Sequence, residues 1–297
     1  MKRGIWSAIG AYTLWGLFPV YFKWLAQVPA LELIGHRIVW SCLMLCGVIV
    51  VRRQWRAFRE HALQLGVIRA YVVAAVLISG NWLVYVWAVN SGYIIEASLG
   101  YFINPLISVL MAVVLLHERL RPWQWVSVSL AVLGVVYLTF IHGSLPWIAL
   151  TLAFTFAFYG LIKKKSPLGA LFGLTLETGI LLLPALVYLL VLEGDGRGAF
   201  HHSGTLIDTL LIGCGLVTAI PLLLFASAAQ RIPLALLGVL QYIGPTLQFL
   251  IAILIYHEPF ALNKLIGFAI IWTALLIFAI EGFFARRAQA EPLAEPL

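Results

Sequence analysis

The chain has 297 residues, of which 63% are hydrophobic and 10% are charged, and its formal net charge is +7. A soluble domain of this length could not bury so much apolar surface, whereas a lipid bilayer can receive it. The composition therefore excludes an ordinary soluble globular protein and indicates an integral membrane protein. The basic excess alone would also fit a nucleic-acid binder, and the positions of the charges decide between the two classes.

Ten apolar stretches follow one another along the chain, each with about the 17 to 25 residues that a helix needs to cross the hydrocarbon core. They show no alternation of period two, so the pattern favours helices over a barrel. We predict an all-α integral membrane protein with ten transmembrane helices. The predicted spans are residues 5–25, 33–51, 67–89, 94–116, 123–141, 145–162, 170–192, 206–228, 233–256 and 263–284.

The loops between the predicted spans carry their positive charges very unevenly. With the amino terminus in the cytoplasm, only Arg197 and Lys264 fall in outer loops, against fourteen basic residues inside. This asymmetry predicts a multi-pass protein of the cytoplasmic (inner) membrane with both termini cytoplasmic. Anionic lipid then accounts for the basic excess, and we expect no nucleic acid partner. The fourteen are Lys2, Arg3, Arg52, Arg53, Arg56, Arg59, Arg119, Arg121, Lys163, Lys164, Lys165, Arg231, Arg286 and Arg287.

One motif occurs twice, 140 residues apart. Pro105 is followed thirteen residues later by Glu118 in His117-Glu118, and Pro245 is followed by Glu258 in His257-Glu258 at the same step. Such an offset indicates an internal duplication. Because each half has an odd number of spans, the two halves must insert with opposite orientation, an arrangement that recurs in transporters. We predict two inverted five-helix repeats, at residues 1–142 and 143–285, and a cytoplasmic tail at residues 286–297.

The duplicated prolines lie inside predicted spans. Each removes a backbone donor and crowds the carbonyl four residues earlier, that of Tyr101 for Pro105 and that of Gln241 for Pro245. Prolines are common in membrane helices, and neighbouring helices can simply repack around them. Because this pair is duplicated, we interpret Pro105 and Pro245 as hinge elements beside a site near the middle of the membrane.

The ionisable residues in or beside the predicted spans include Lys23, Glu32, Arg37 and Glu177. A charge at bilayer depth costs several kcal/mol unless it is paired or hydrated. Lys23 and Glu32 are close enough to span ends to reach the interface, and this explanation stays open for them. For Arg37 a carboxylate from Glu32 or Glu177, a substrate anion or cavity water must offset the charge. We predict that Lys23, Arg37 and Glu177 make ionic contacts to a solute.

Uncharged polar and aromatic residues at membrane depth complete the predicted site. Most such amides make hydrogen bonds between helices, but Asn104 and Gln241 stand beside the duplicated prolines. Deep aromatic rings can stack on a flat solute. The predicted substrate-binding set, besides the three ionisable residues, is Trp15, Asn81, Tyr101, Asn104, Gln241 and Tyr242.

Other chemistry has little support in the sequence. Cys42, Cys46 and Cys214 form no CxxC pair, so neither a metal site nor a disulfide framework is indicated. No phosphate-binding loop appears, so the chain cannot spend ATP, and any uphill transport must draw on an ion gradient. No arrangement of nucleophile and base is visible. We therefore expect no cofactor, no metal and no enzymatic activity.

Several short motifs are each weak alone and specific together: Trp15-Gly16, His36-Arg37-Ile38, Asn81-Trp82, Glu96 to Tyr101 with Asn104-Pro105, Glu118-Arg119, Gln241-Tyr242 and Pro245-Thr246. Over nearly the whole chain they resemble the RarD-type chloramphenicol-sensitivity proteins of the drug/metabolite transporter superfamily. The resemblance implies a basket-like carrier of ten helices, with a cavity formed by both halves. It does not fix the solute, because the drug-sensitivity name describes a phenotype.

The sequence thus predicts a secondary-active permease that exports a small amphipathic metabolite or drug by alternating access. Its expected partners are a small-molecule substrate and membrane lipids, and a coupling ion such as H⁺ is an open option. Two alternatives are a lipid or headgroup translocase, which should show a lateral groove, and a non-transporting membrane subunit, which should show no cavity. An intramembrane enzyme would need a nucleophile and a base in contact. Substrate identity, direction and oligomeric state stay open.

Overall fold

A computed structural model describes residues 1–91, 93–142, 147–256 and 262–290, and this part of the chain forms α-helices and no strand. The predicted residues His257-Glu258, the repeat boundary after residue 142 and the end of the tail lie outside it. The helices are α1 (Lys2–Gly16), α2 (Phe18–Lys23), α3 (Ala30–Val51), α4 (Trp55–Ala62), α5 (Leu65–Asn90), α6 (Ile94–Leu116), α7 (Pro122–His142), α8 (Trp147–Lys165), α9 (Ala170–Gly194), α10 (Thr205–Ala229), α11 (Leu234–Leu240), α12 (Ile243–Leu254) and α13 (Leu262–Ala290).

Within the described residues, nine helical segments are long and apolar enough to cross a bilayer, and Gly100–Leu116 is a shorter apolar helix. Their outer surfaces are apolar too. On α9, Leu183, Val187 and Leu190 follow one face of the helix and are 70%, 52% and 62% exposed. Such a face is stable against lipid and costly in water. The prediction of an all-α, multi-spanning membrane protein is confirmed.

Two predicted spans are each divided into two helices. The span at residues 5–25 consists of α1 and α2, which meet at Leu17, and the span at 233–256 consists of α11 and α12, which meet at Gln241 and Tyr242. The first division was not predicted. The hydrophobicity of the sequence does not mark the division between α1 and α2, because both helices are apolar. The two divided spans pack against each other, α1 on α11 and α12, and α2 on α12.

A short helix that we did not predict, α4, connects α3 to α5. It is strongly amphipathic: Phe58 and Ala62 are buried, while Arg56 and Glu60 are exposed and form an ion pair at 2.9 Å. Phe58 packs against Phe172 of α9, with ring centroids 5.6 Å apart. This geometry is typical of a helix that lies along the membrane interface.

The most extensive helix packing joins residues 1–142 to the later part of the chain. Helix α6 packs on α8 and α11, α7 on α13, α3 on α9 and α10, α1 on α10, and α5 on α8. The two predicted repeats are therefore interleaved, and neither has a separate core. The boundaries of the repeats themselves stay a prediction.

Small residues bring α7 and α13 close together. The Ser127 hydroxyl donates to the carbonyl of Ala274, and a Cβ on Gly134 would lie 3.2 Å from the carbonyl oxygen of Gly267. Adding 140 to 127 gives 267, and adding 140 to 134 gives 274, so the two contacts exchange under the offset of the sequence duplication. The pseudo-twofold relation that we predicted would produce this exchange.

One face of the molecule, which we call the N-terminal face, is tightly packed. A Cβ on Gly4 would lie 2.7 Å from Ile232 Cγ2, so α1 approaches the turn between α10 and α11 as closely as glycine permits. Lys164 Nζ donates to the carbonyl of Ile232 at 2.7 Å. Behind this layer the rings of Tyr159 and Phe225 stack at 6.0 Å. One large cluster of buried apolar residues, which includes Tyr159 and Phe225, therefore lies behind the N-terminal face.

Candidate functional site

A cavity of about 310 Å³ lies between the halves of the chain. Helices α1, α2, α3, α5 and α6 of the first half line it together with α8, α10 and the α11–α12 junction of the second half. Its size is at the lower end of the range for small-molecule pockets. Of the residues predicted to bind a solute or to act as hinges, it brings together Trp15, Arg37, Asn81, Tyr101, Asn104, Gln241 and Pro245.

Arg37 enters the cavity from α3, seven residues after the helix begins at Ala30, which corresponds to about 10 Å along the helix axis. Its Nε donates to Thr218 Oγ1 of α10 at 2.9 Å. The guanidinium carbon lies 4.5 Å from the centroid of Trp82. This contact is a cation–π interaction, which stabilises a partly desolvated cation.

The predicted carboxylate partners of Arg37 are engaged elsewhere. Glu32 Oε1 accepts the backbone N–H of Ala199 at 2.6 Å and lies 3.8 Å from His36 Nε2. Glu177 Oε1 forms an ion pair with Lys163 Nζ at 2.5 Å, and both side chains are 2% exposed. The two partners that we suggested from the sequence therefore do not neutralise Arg37.

The amides of the cavity differ in how far the protein satisfies them. Asn81 Nδ2 donates to the Leu152 carbonyl and to Thr155 Oγ1, both at 2.8 Å, and so ties α5 to α8. Gln248 Nε2 donates at 3.1 Å to the carbonyl of Trp15, beside the break between α1 and α2. Asn104 is 4% exposed, and its Oδ1 makes no hydrogen bond to any described residue. Asn104 thus has a buried acceptor left for a ligand or water.

Aromatic rings form much of the wall. The ring of Trp15 lies 5.7 Å from that of Tyr12 and 5.9 Å from that of Phe156, between centroids. Tyr85 and Tyr101 meet edge to face at 5.9 Å. We had predicted only Trp15 and Tyr101 from the sequence. Tyr12, Tyr85 and Phe156 lie in spans that are apolar on every side, where composition does not show which face meets the cavity.

Four predicted residues are not part of this cavity lining. Lys23 is exposed, and its Nζ lies 3.5 Å from the ring centroid of Tyr256. Glu177 is buried with Lys163 between α8 and α9. Tyr242 is 2% exposed and packs in the core, where its hydroxyl donates to the Phe102 carbonyl at 3.1 Å. Pro105 lies beside the cavity residue Asn104, on the side of α6 that faces α11.

These placements distinguish the three ionisable residues of the predicted site, whose role in solute binding stays a prediction. Of Lys23, Arg37 and Glu177, only Arg37 lines the cavity. Lys23 is close enough to the end of α2 to remain exposed, which is the interfacial explanation left open from the sequence. Glu177 is compensated within the second half, because a buried ion needs a partner at short distance.

At the N-terminal face, a carboxylate joins the two halves of the chain. Glu118, just after α6, accepts the backbone N–H groups of Leu234 at 2.8 Å and of Ala235 at 3.0 Å. These are free donors of the first turn of α11, where a negative charge is stabilised. We had noted Glu118 only as part of the duplicated motif. Its counterpart Glu258 lies outside the described residues.

The described residues offer no group of three or more His, Cys, Asp or Glu side chains that could hold a metal ion. What the cavity provides is one guanidinium, several amides and a largely aromatic wall. This arrangement can bind and orient a small amphipathic molecule. It offers no nucleophile activated by a neighbouring base.

Known proteins are similar in sequence to this chain over nearly its whole length. The model of the EamA-like transporter family matches residues 2–140. The chain is 45% identical to Uncharacterized transporter YojE of Bacillus subtilis (strain 168), over 97% of each chain. It is 43% identical to Protein RarD of Escherichia coli (strain K12), over 98% of each. The chain is a RarD-type member of the EamA-like transporter family.

The EamA-like family belongs to the drug/metabolite transporter superfamily, so the predicted resemblance is confirmed. Chloramphenicol-sensitive protein RarD of Pseudomonas aeruginosa (strain PAO1) is more distant, at 30% identity over 97% of each chain. One solved crystal structure of a protein superposes with a TM-score of 0.71 at 18% identity, over 92% of this chain and 96% of that one, which shows a shared fold. As an EamA-like transporter, the chain is a membrane transporter and not an enzyme.

Proposed function

We propose that this transporter is a secondary-active permease that exports a small amphipathic metabolite or drug by alternating access. The observation that carries the proposal is the cavity itself, which lies between the halves and is lined by both. A non-transporting subunit would have no need for such a space. The interleaved packing and the exchanged contacts of α7 and α13 support the two inverted repeats, which alternating access by this route requires.

The contacts at the N-terminal face support a conformation closed on that side. Glu118 accepts a hydrogen bond from the start of α11, and Lys164 donates one to the turn before it. Gly4 packs against the same turn. If the N-terminus is cytoplasmic, as the loop charges predict, this is the outward-facing or occluded half of the cycle. Export would then require these contacts to break on the cytoplasmic side while the opposite side closes.

The proposal can be tested with the purified protein in liposomes. A panel of metabolites and drugs is supplied on one side, with and without a pH gradient. Chloramphenicol belongs in the panel because of the name of the Pseudomonas relative. We expect saturable transport of at least one solute, and dependence on the pH gradient would identify H⁺ as the coupling ion. Flux no greater than in protein-free liposomes for every solute would contradict the proposal.

Cysteine labelling tests the cavity directly and separates a solute carrier from a lipid translocase. In a background where Cys42, Cys46 and Cys214 are serine, Gln248→Cys should react with a membrane-impermeant thiol reagent from one side only. Leu186→Cys, on the exposed apolar face of α9, is the matched control and should not react. Protection of the Gln248 variant by phospholipid and not by any solute would favour the translocase.

A further inference from the structure

Arg37 is the only charged side chain among the described residues that line the cavity. Its Nε donates a hydrogen bond to Thr218 Oγ1, and the rings of Phe18 and Phe22 lie 5.8 and 5.6 Å from the guanidinium carbon. Its two terminal nitrogens make no hydrogen bond to a described residue. The protein therefore holds the planar group in place and leaves two of its donor atoms unused.

No described carboxylate forms an ion pair with this cation, since Glu32 and Glu177 are engaged elsewhere. An uncompensated cation at this depth is energetically costly. The contact with Trp82 offsets only part of that cost. An anion that enters the cavity would supply the remainder. A cationic solute would be repelled.

The rest of the wall fits a flat apolar body. The rings of Trp15, Phe156 and Tyr101 line the same cavity as Arg37. Aromatic rings bind other flat groups by stacking or edge contacts with centroids about 4.5 to 7 Å apart. Asn104 Oδ1 is buried and has no hydrogen-bond partner among the described residues, so it is available to a polar substituent or a water molecule.

We propose that the solute is an organic anion with an aromatic or similarly flat apolar body, and that Arg37 binds its acidic group through the free edge of the guanidinium. The proposal rests on the proposed function, because it concerns the solute of the same cavity. A carboxylate can accept two hydrogen bonds at once from a guanidinium. The bidentate geometry of Arg37, and not only its charge, therefore determines specificity.

The test uses three probes of matched shape and different charge: 3-phenylpropionate, 3-phenylpropanamide and 3-phenylpropan-1-amine. Binding to the purified protein is measured by titration calorimetry. We expect the acid to bind at least tenfold more tightly than the amide, and the amine to bind most weakly. Acetate, which has the charge without the ring, should bind more weakly than 3-phenylpropionate by a similar factor.

Variants then assign the preference to Arg37. Arg37→Gln should bind the acid and the amide equally. Arg37→Lys keeps the positive charge, so we expect normal membrane insertion. It loses the bidentate hydrogen bonding of the guanidinium, so the affinity for the acid should fall at least fivefold. Arg197→Gln removes an exposed arginine paired with Asp195 and is the matched control. If the Arg37 variants fold poorly, Thr218→Val, which keeps Arg37 and removes the Nε partner, should still lower affinity for the acid.

Several outcomes would overturn the proposal. They are equal binding of acid and amide to the native protein, tighter binding of the amine, failure of all three probes to bind, or retention of the acid preference in Arg37→Gln. Liposome transport distinguishes a failure of this proposal from a failure of the proposed function. Liposome transport of neutral or cationic solutes alone would overturn the anion class and keep the transporter, whereas absence of transport for every solute would overturn the function.

Discussion

Helix α6 and the pair α11–α12 contain the same duplicated motif, with proline in equivalent positions, but only one of them is divided. Pro105 lies inside α6, which is helical from Ile94 to Leu116. Pro245 lies in the first turn of α12, just after the break at Gln241 and Tyr242. Proline is tolerated in a first turn, where its missing N–H would have no partner in any case.

Differences between equivalent residues account for the two shapes. At the break, the Gln241 carbonyl, which cannot receive an N–H from Pro245, accepts one from Gly244 at 3.1 Å. Gly244 stands where the first half has Asn104, and glycine is the poorer helix former. In α6 the Phe102 carbonyl accepts the hydroxyl of Tyr242, which is the equivalent residue of the second half. Because position 102 is phenylalanine, the reverse hydrogen bond cannot form.

A duplicated motif thus defines where a helix is weakened, but not how its free backbone groups are then satisfied. In α6 a residue of the second half, Tyr242, makes a hydrogen bond to the helix backbone. In α11–α12 the helix ends and begins again, which places Gln241, Pro245 and Gln248 at the cavity. Whether Pro105 and Pro245 act as hinges stays a prediction, and three sets of substitutions test the contrast between α6 and α11–α12.

The largest effect is expected from Gly238→Ala. A Cβ at this position would lie 2.9 Å from the Pro105 carbonyl oxygen and 3.0 Å from Ser108 Cβ, so α11 would have to move away from α6. Overpacking of this kind costs about 1 to 3 kcal/mol. We expect a lower melting temperature and little remaining transport.

The matched control for this change is Gly80→Ala in α5, where a Cβ would meet no atom within 4 Å. There alanine should be neutral or slightly stabilising, because it is the better helix former. Equal melting temperatures for the Gly238 variant and the native protein would show that α6 and α11 need no close contact.

An intermediate effect is expected from Glu118→Gln. The amide keeps one acceptor and loses the charge, so one N–H at the start of α11 loses its partner at a cost of about 1 kcal/mol. This corresponds to roughly a fivefold shift toward the state that is open at the N-terminal face. Labelling of a cysteine at Ile232 by a thiol reagent added on that side should become correspondingly faster.

Glu60→Gln provides the control, because Glu60 also belongs to a charged contact but an exposed one, on α4. Surface pairs contribute about 0 to 1 kcal/mol. Labelling rates in the Glu60 variant should match those of the native protein. Unchanged labelling of the Glu118 variant would show that this carboxylate only caps α11 and does not affect opening at the N-terminal face.

The smallest effect, and the most direct test of the comparison, comes from the prolines. Pro245→Ala restores a donor for the Gln241 carbonyl and allows α11 and α12 to join, so we expect transport to fall several-fold with near-normal insertion. Pro105→Ala should change transport less, because α6 is already continuous. Initial rates in liposomes compare the two. Equal losses would make the structural difference irrelevant to the cycle, and no loss in the double variant would make both prolines ordinary packing residues.

Much of the architecture can be predicted from the sequence alone, because the interactions that set it are local. Helix length, apolarity and the bilayer's demand for internal hydrogen bonds predict the spans, and the 140-residue offset predicts that the halves are related. The motifs were also sufficient to predict the family. Seven of the residues singled out for solute binding or hinge action line the cavity, mostly those beside the duplicated prolines.

The partners of each polar residue, in contrast, are visible only in the tertiary structure. Arg37 and Glu177 look alike in the sequence, as single charges inside apolar spans. Packing places Lys163 against Glu177, and it places Thr218 and Trp82 against Arg37. In a soluble protein the polar face of a helix shows which side is exposed, but lipid and protein interior are both apolar, so a span carries little record of its rotation. Contacts between distant helices supply that information, and they decide which charge is buried as a pair and which is left for a solute.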